Sequence, residues 1–420
     1  MKILIVGGGG REHAIAWKLA QSSKVTEIVC APGNAGIASI ARCVPISAED
    51  VEAQVHLAEA ENPDLVVIGP EVPLALGLTD RLEEKGLRVF GPNKKCAQLE
   101  ASKAFTKDFL LRHSIPTAEY KVFTNVEDLR ANIGMYGYPM ILKADGLAAG
   151  KGVIIAQNEA EAEKGIALLM EEKAFGEAGA KVVVEECLFG TEASVLCFVD
   201  GSAIVPMESA QDYKRIYDED KGPNTGGMGT YSPSLLFTED LEMEIAERLL
   251  KPTLEGFKED GLDFRGVLFI GIMITEEGPK VIEFNNRFGD PEAQSILRRM
   301  KSDLLDVMLA VTEDRLSEED IEWLEDHAVC VVMAASGYPD AYEKGKVISA
   351  LDQVDADVVV FHAGTAFDDA GNVVSAGGRV LGVSALGATH EEARAKAYAN
   401  ACKICFEGAQ YRKDIGIIYS

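Results

Sequence analysis

Positive charge is scarce in this sequence. It has 41 Lys and Arg against 68 Asp and Glu, a formal net charge of −27 with His neutral, and no block of consecutive basic residues. A surface this acidic repels nucleic acids and anionic membranes at long range. We therefore expect neither as a partner, although a few focused Lys and Arg side chains could still bind a small anionic substrate.

Long apolar runs and a cleavable leader are also lacking. No uninterrupted apolar stretch is long enough to span a bilayer, and the N-terminus, MKILIVGGGG, is too short for a signal core. Cys402 and Cys405 form one CxxC without a second pair nearby, and the other cysteines stand singly. A redox or zinc role for this pair stays open, but we expect reduced, buried thiols and a cytoplasmic protein.

The sequence does contain enough apolar residues for several cores. It has 420 residues, of which 47% are hydrophobic, which favours several domains over one. Short apolar strands at residues 2–6, 27–31 and 65–68 alternate with helical patterns such as residues 11–22. This alternation predicts a parallel sheet with helices on both faces, with ligands at the carboxyl ends of its strands.

Hairpin patterns replace this alternation after residue 102. Residues 193–207 and 267–285 each contain two apolar strands joined by a short turn, which is typical of antiparallel sheet. A last segment from about residue 328 has its own strands and a closing helix from residue 391. The fold class is therefore multi-domain, with an α/β part followed by α+β parts.

The first motif is GGGGREH at residues 7–13, between a strand and a helix. Glycines at a helix N-terminus allow backbone amides to approach an anion closely. A dinucleotide fingerprint would require Gly where Glu12 stands and an acidic residue ending the second strand, which instead reads Ala31-Pro32-Gly33. A nicotinamide cofactor is thus disfavoured, and a phosphate-bearing substrate or a merely tight turn are the two alternatives.

The second motif is KADGLAAGKG at residues 143–152. Its glycine spacing differs from a Walker P-loop, and no Ser or Thr follows Lys151. Because strands flank it on both sides, it is typical of a flexible flap that closes over phosphates, with Lys143 reaching their oxygens. The alternative is an exposed hairpin with no ligand.

The third motif is VIEFNNRFGDPE at residues 281–292. On a strand, Glu283, Asn285 and Arg287 point one way while Ile282 and Phe284 enter the core. Two oxygen ligands beside a guanidinium indicate a magnesium–phosphate site. The alternative is an ordinary polar strand face.

The fourth motif combines AQDYKR, at residues 210–215, with GPNTGGMG, at residues 222–229. This stretch has no periodicity, so we expect a loop. Long loops in compact domains are usually functional or disordered, and both alternatives stay open.

Together, the ordered motifs GGREH, APGNAG, VIGPE, FGP, SKAFTKDFL, KADGLAAGKGV, AQDYKR, GPNTGGMG, EFNNRFGDPE, HAGT and RKDIG resemble the glycinamide ribonucleotide synthetase family of ATP-grasp ligases over essentially the whole chain. The resemblance implies an N-terminal Rossmann-like parallel-sheet domain (1–101), an ATP-grasp central domain (102–122 and 191–326), a lid subdomain (123–190) and a C-terminal α+β domain (327–420).

The resemblance also implies an activity. It is the ATP-dependent ligation of glycine to 5-phosphoribosylamine, giving glycinamide ribonucleotide, ADP and phosphate through glycyl phosphate, in the second step of purine biosynthesis. ATP and Mg²⁺ (or Mn²⁺) would be required, and a cytoplasmic monomer is expected.

The resemblance finally implies roles for individual residues. The residues expected to bind ATP are Lys103, Lys143, Gly146, Gly150, Lys151, Gly152, Glu185, Glu186, Leu188 and Glu192, and those expected to bind the metal are Glu283 and Asn285. The expected catalytic residues are Arg287, Asp290, Asp212 and Lys214. The expected substrate-binding residues are Gly9, Gly10, Arg11, Glu12, Asn224, Thr225, Gly226, Gly227 and Gly229.

Two departures from the family pattern carry consequences. Gly8 stands where Ser or Asn is expected, and Gly271 lies near the place where many ATP-grasp enzymes carry a second metal carboxylate. A different ATP-grasp ligase and an ATP-binding regulatory protein are the competing hypotheses.

Overall fold

The computed structural model describes residues 1–148, 152–172 and 179–417. Gly150 and Lys151, two of the residues expected to bind ATP, lie outside these ranges. Within them, no helix is both long and apolar enough to cross a membrane.

The N-terminal segment forms the parallel sheet that the sequence predicts. Its five strands lie in the order β3-β2-β1-β4-β5, and every pairing is parallel. Ile3 and Ile5 enter one hydrophobic core and Leu4 and Val6 another, because successive side chains of a strand face opposite sides. The elements are β1 (Lys2–Gly7), α1 (Gly10–Leu19), β2 (Glu27–Pro32), β3 (Arg42–Cys43), α2 (Val51–Glu61), β4 (Leu65–Ile68), α3 (Glu71–Leu76), α4 (Leu78–Glu83) and β5 (Val89–Phe90).

A small antiparallel sheet with its own core follows two linking helices. Its strand order is β6-β9-β7-β8, and α7 and α8 pack against it around Leu142 and Val184. The elements are α5 (Gln98–Ala101), α6 (Lys103–Arg112), β6 (Tyr120–Phe123), α7 (Val126–Ala131), β7 (Met140–Ala144), β8 (Val153–Ala156), α8 (Glu159–Ile166) and β9 (Val182–Glu186). Except for residues 120–122 of β6, which fall in the expected central domain, this sheet with α7 and α8 lies within the segment 123–190 expected to form the lid.

The two predicted hairpins pair with each other in the central sheet, whose order is β11-β10-β16-β17. One face packs against α1 and α12 and the other against α6, α9 and α10. The elements of this segment are β10 (Thr191–Asp200), β11 (Ile204–Pro206), β12 (Gln211–Asp212), β13 (Arg215–Tyr217), β14 (Lys221–Asn224), β15 (Gly229–Ser232), α9 (Glu239–Ile245), α10 (Lys251–Asp260), β16 (Arg265–Thr275), β17 (Gly278–Asn285), α11 (Ala293–Arg299) and α12 (Leu304–Thr312).

The sequence predicts a loop at residues 210–229, but the structure has short strands there. This stretch contains β12, β13 and β14 and the first residue of β15. β12 and β15 join the C-terminal strands in a sheet of order β12-β15-β18-β22-β19, so part of the segment 191–326 shares a sheet with the segment 327–420. The C-terminal elements are β18 (His327–Ala334), β19 (Val359–His362), β20 (Thr365–Phe367), β21 (Val373–Ser375), β22 (Arg379–Gly387) and α13 (His390–Ala401).

The cysteines are only partly as expected. Cys30, Cys96, Cys197 and Cys330 are buried, and Cys43 and Cys187 are half-buried. Cys402 and Cys405 are exposed, so the expectation of buried thiols is wrong for this pair. The reason is that α13 ends at Ala401, and the pair lies in the surface turn that follows.

Candidate active site

Carboxylates occupy the glycine-rich turn between β1 and α1. Gly9 caps α1, which begins at Gly10. The Glu12 side chain accepts a hydrogen bond from the Gly9 amide (2.6 Å) and another from Nε of Arg11 (2.6 Å). The Arg11 amide donates to Oδ2 of Asp290 (3.3 Å). A phosphate bound at these amides would therefore have to replace Glu12 or Asp290.

Asp290 joins this turn to two other parts of the chain. Its Oδ1 accepts a hydrogen bond from Nε2 of Gln294 (2.8 Å) and lies 3.4 Å from Nη2 of Arg379. Burial alone would raise the pKa of Asp290, but the guanidinium groups of Arg379 and Arg11 outweigh it and lower the pKa. Asp290 is thus an ionised hydrogen-bond acceptor beside the backbone amide of Arg11.

The polar face of β17 is arranged as the third motif predicts. Nδ2 of Asn285 donates to Oε1 of Glu283 (3.5 Å), and Nη2 of Arg287 donates to Oδ1 of Asn285 (3.3 Å). The two side chains expected to bind a metal therefore adjoin each other and the guanidinium.

A β-bulge corrects the predicted core face of this strand. Gly271 of β16 pairs with Glu283, but the next residue, Ile272, pairs with Val281. Ile282 is the extra residue, and a bulge re-aims the side chains around it. Val281 therefore enters the core in place of Ile282, which is only half-buried.

Gly271 of β16 lies opposite Glu283 in the central sheet. A Cβ at Gly271 would lie only 3.3 Å from Cγ of Glu283. The second metal carboxylate of other ATP-grasp enzymes thus has no counterpart at this position, and the Glu283 side chain occupies the adjoining space.

Three ammonium groups surround Glu283. Burial would raise the pKa of Glu283, but Lys214, Lys143 and Lys103 together lower it. Burial lowers the pKa of Lys103, and Glu283 opposes that shift. Lys143 also pairs with Glu185 and Lys214 with Glu192, so the three ammonium groups are shared among several carboxylates and could be redistributed toward a polyphosphate.

Arg287 already has carboxylate partners that the motif analysis missed. Its Nη2 lies 3.1 Å from Oε1 of Glu100 and its Nε 3.4 Å from Oε2 of Glu71. Burial raises the pKa of Glu100 to about 7, although Arg287 opposes the shift. Oε2 of Glu100 also accepts a hydrogen bond from the Asn286 amide (2.7 Å). Glu100 therefore fixes the end of β17 as well as the guanidinium.

Asp212 and Lys214 lie among further carboxylates. Lys214 pairs with Glu192, a residue expected to bind ATP. Oδ1 of Asp212 is buried and has no hydrogen-bond partner within the described residues. Burial raises the pKa of Asp212 well above its ordinary range, and the nearby Glu292 raises it further. This carboxyl group therefore binds a proton more readily than an ordinary aspartate, although Lys214 and Arg379 oppose the shift.

Comparison with known proteins relates this geometry to one family. Three family models match in order: "Phosphoribosylglycinamide synthetase, N domain" over residues 1–100, the "ATP-grasp (A) domain" over 101–293 and the "C domain" over 328–417. A protein of Caldanaerobacter subterraneus subsp. tengcongensis named phosphoribosylamine–glycine ligase is 47% identical, with 100% of both chains covered. The chain belongs to the phosphoribosylglycinamide synthetase family.

Two further relatives are similar to this chain over nearly its whole length. A protein of the same name from Xanthomonas axonopodis pv. citri is 51% identical over 99% of this chain and 97% of its own length. The crystal structure of phosphoribosylamine–glycine ligase from Thermotoga maritima superposes with a TM-score of 0.88 at 38% identity, covering 99% of this chain and 100% of that one. The resemblance is confirmed, as are the fold class and an ATP-dependent ligase of purine biosynthesis with an ATP-grasp domain.

The ATP-grasp domain of this family member contains a buried ion triad that sequence reasoning missed in part. Oε2 of Glu185 lies 2.9 Å from Nζ of Lys143 and 3.2 Å from Nζ of Lys107. Burial lowers the pKa of Lys107 to about 8. Lys107 follows Lys103 by four residues on α6, so the i, i+4 spacing on one helix face was a signal available in the sequence.

The C domain of the family contributes Arg379, which the sequence analysis also missed. Nη1 of Arg379 donates to the carbonyl oxygens of Gly226 (2.5 Å) and Asp290 (2.6 Å). A Cβ at Gly226 would lie 2.9 Å from Cζ of Arg379, so a side chain here would displace the guanidinium group. Arg379 thereby joins the glycine-rich stretch at residues 224–229 to the loop after β17.

The other residues that the resemblance assigns to the site have the following places in the fold. Thr225 donates through its hydroxyl to the Lys214 carbonyl (2.8 Å). A Cβ at Gly229 would lie 2.6 Å from Cγ2 of Ile415, and Asn224 ends β14. Glu186 ends β9 and accepts from the Glu119 amide (3.0 Å). The others are Leu188, in the connection from β9 to β10, Gly146, just after β7, and Gly152, just before β8.

Gly8, where the family pattern has Ser or Asn, lies very close to the turn after β2. A Cβ at Gly8 would lie 2.4 Å from the carbonyl oxygen of Gly33. In this chain the space that a serine or asparagine side chain would need is filled by the turn after β2.

Proposed function

We propose that the chain joins glycine to 5-phosphoribosylamine, with cleavage of ATP to ADP and phosphate, giving glycinamide ribonucleotide. The observation that carries the proposal is that Lys103, Lys143 and Lys214 converge on Glu283, and that Lys214 also lies near Asp212, whose Oδ1 is buried without a hydrogen-bond partner in the described residues. A polyphosphate, a carboxylic acid and an amine can then meet at one place. The names of the relatives support the choice of glycine and phosphoribosylamine.

The residues at the end of β17 fit a magnesium ion. Glu283 offers an ionised carboxylate and Asn285 an amide oxygen. Mg²⁺ usually keeps water ligands and takes one or two protein oxygens together with substrate phosphates, so this small donor set suits it, and Mn²⁺ as well. When bound, the ion would neutralise phosphate charge during transfer.

Lys103 and Lys143 would hold the ATP phosphates in this proposal. Lys143 lies on β7 of the lid sheet and Lys103 at the start of α6, so the two ammonium groups approach Glu283 from different elements. Glu185, Glu186 and Leu188 would line the adenine, and Glu192 would accept from the ribose hydroxyls after releasing Lys214. The lid residues Gly146 and Gly152 would lie over the phosphates, together with Gly150 and Lys151.

The chemistry requires activation because a carboxylate does not acylate an amine at neutral pH. The glycine carboxylate attacks the γ-phosphorus, forming a C–O–P bond while the bond from phosphorus to ADP breaks. The amine nitrogen of phosphoribosylamine then attacks glycyl phosphate, and inorganic phosphate leaves. Lys214 and Arg287 would stabilise the charge that develops on the transferring oxygens.

Asp212 is the better of the two candidate bases for the attacking amine. Its pKa is raised by burial and by Glu292, whereas Arg379 and Arg11 outweigh burial at Asp290 and lower the pKa there. A base with the higher pKa accepts the proton more readily. We propose that Asp212 takes the proton and that Asp290, still ionised, orients the amine.

The substrates would lie between two glycine-rich segments. The turn Gly9–Glu12 would receive the ribosyl phosphate moiety after rearrangement of Glu12 or Asp290, and the stretch 224–229, including Thr225, Gly227 and Gly229, would lie over glycine. We further propose a cytoplasmic monomer without a nucleic-acid or membrane partner, in keeping with the charge of −27.

ADP release tests this function. Purified protein would be incubated with ATP, Mg²⁺ and glycine, with and without phosphoribosylamine formed in place from ribose 5-phosphate and ammonia. We expect release that needs both substrates, with glycinamide ribonucleotide detected by mass spectrometry. Release with a different acid or amine would overturn the substrate assignment, and binding of ATP without release would favour a regulatory protein.

A further inference from the structure

The lid strand β7 and helix α6 are tied together by one side chain that no motif assigned a role. Oδ1 of Asp145 accepts hydrogen bonds from the Ser102 hydroxyl (2.9 Å) and from the Ala104 amide (2.9 Å). Asp145 follows β7 directly, and Ser102 is the residue that caps α6. The Asp145 side chain is only 5% exposed, so water does not compete strongly for these contacts.

Neighbouring contacts reinforce the tie. Nζ of Lys103 donates to the carbonyl oxygen of Gly146 (3.1 Å), and the Asp145 amide donates to the carbonyl oxygen of Lys181 (3.0 Å). Residues 102–104 of the helix are thus all bound to residues 145–146 of the lid. The contacts join two motifs, SKAFTKDFL and KADGLAAGKGV, through residue pairs that are 41 or 43 residues apart in the chain.

The tie opposes an electrostatic repulsion. Lys103 and Lys143 lie close enough that Lys143 lowers the pKa of Lys103, after the larger effects of burial and Glu283, while Asp145 raises it. Two ammonium groups on different elements would move apart unless something holds those elements together. The helix also leaves its first amides without intrahelical partners, and the Asp145 carboxylate satisfies that of Ala104.

We propose that Asp145 is a positioning residue that sets the distance between Lys103 and Lys143 and so shapes the cradle for the ATP phosphates. The proposal rests on the function proposed above, in which these lysines hold the phosphates. In this proposal Asp145 acts through the two lysines and is not assigned a contact with ATP or glycine. It acts by anchoring the start of the glycine-rich segment to the N-terminus of α6.

Kinetics of matched variants test the proposal. Asp145→Ala should raise the KM for ATP about tenfold or more, since a hydrogen bond to a charged group is worth roughly 1.5–3 kcal/mol, and should lower kcat. The KM for glycine should stay within about twofold of the wild type, because the glycine site does not depend on this anchor.

Conservative and control variants separate positioning from general destabilisation. Asp145→Asn keeps an oxygen that can accept from Ser102 and Ala104, so it should restore most of the ATP affinity. Ser102→Ala should show a smaller defect that is not additive with that of Asp145→Ala. Glu127→Ala is the control, because Glu127 is an exposed residue in the first turn of α7 in the lid, and it should resemble the wild type.

Three results would overturn the proposal. The first is an Asp145→Ala enzyme whose kcat and KM for ATP stay within about twofold of the wild type. The second is a rise in the KM for glycine equal to the rise in the KM for ATP. The third is an Asp145→Asn enzyme whose KM for ATP is as high as that of Asp145→Ala. Calorimetric binding of a non-hydrolysable ATP analogue with Mg²⁺ provides a readout independent of turnover. If the wild type binds the analogue but shows no ligase turnover, and Asp145→Ala does not bind it, the proposed function is wrong but the positioning role of Asp145 is supported. If the wild type does not bind the analogue, both proposals are wrong.

Discussion

At the scale of single residues, the site depends on charges whose compensation is incomplete. Glu283 is ionised and lies among three lysines, whereas Asp212 has a buried oxygen without a partner in the described part of the chain. Buried charges are costly unless they are paired. We propose that a bound substrate supplies the missing partner of Asp212, so that binding compensates a buried polar group.

Glu283→Gln tests this at the residue scale. The change keeps the shape of the side chain but removes both the carboxylate for the metal and the counter-charge for the lysines. We expect kcat for ADP release to fall about a hundredfold or more, with an unchanged circular dichroism spectrum.

Glu277→Gln is the matched control for this substitution. Glu277 is 76% exposed and pairs with Lys280 at the turn of the same hairpin, so its loss should leave kcat unchanged. Activity of Glu283→Gln within about threefold of the wild type would contradict the metal assignment.

At the scale of elements, the glycine-rich stretch at residues 224–229 brings backbone close to Asp212, a proposed catalytic residue. Gly227 has φ +113°, and a Cβ there would lie 2.4 Å from Cδ of Pro291 and 2.7 Å from Oδ1 of Asp212. A left-handed conformation favours glycine, and the close contacts exclude a side chain as well. The stretch at residues 224–229 is therefore held against the loop after β17 rather than free.

Gly227→Ala should impair catalysis more than stability. The added methyl group would push Asp212 and Pro291 apart, so we expect at least about a tenfold fall in kcat/KM for glycine. Steady-state kinetics with glycine as the varied substrate provide the measurement.

Gly371→Ala separates the backbone effect from the contact effect. Gly371 also has a positive φ, +83°, but a Cβ there would meet nothing within 4 Å. This variant should lose about 1 kcal/mol of stability and keep its kinetics. Equal kinetic defects in both variants would show that backbone strain alone is responsible.

At the scale of the whole molecule, the N-terminal turn is held by the C-terminal segment. Nδ1 of His13 on α1 accepts a hydrogen bond from the His362 amide (2.8 Å). Nδ2 of Asn34 donates to the carbonyl oxygens of Gly8 (2.9 Å) and His362 (2.8 Å). The motifs GGREH, APGNAG and HAGT are far apart in sequence. They thus meet at one junction beside the glycine-rich turn between β1 and α1.

This junction should make stability depend on pH. Burial lowers the pKa of His13 to about 3, with His362 as a second cause, and burial lowers the pKa of His362 to about 4. The unfolded chain then binds more protons between these values and about 6.5, so stability is lost as pH falls through that window, by up to about 1.4 kcal/mol per pH unit for each histidine. The wild-type Tm should fall from pH 7 to 5 in calorimetric scans.

His13→Asn should flatten this dependence by the share of one histidine. His56→Asn, at an exposed position on α2, should leave the curve unchanged. A His13 variant whose Tm falls as steeply as that of the wild type between pH 7 and 5 would refute the neutral, buried imidazole.

The sequence by itself determined the fold class, the strands and helices that carry the first three motifs, and the family, whereas it missed the short strands β12 to β15 of the fourth motif. These follow from local periodicity, from glycine positions and from ordered motifs, all of which can be read along the chain. The polar face of β17 was predicted for the same reason, because alternation along a strand is a local property. The exception was Ile282, since the bulge depends on pairing with β16.

Only the tertiary structure decided which charges meet. Arg379 and Glu100 lie 92 residues after and 187 residues before Arg287 in the chain, yet both line the same site. The structure likewise showed that Glu12 and Asp290 occupy the turn amides expected to bind phosphate. Long-range ion pairs and the pKa values that follow from burial arise from packing between distant segments, and no local pattern encodes them.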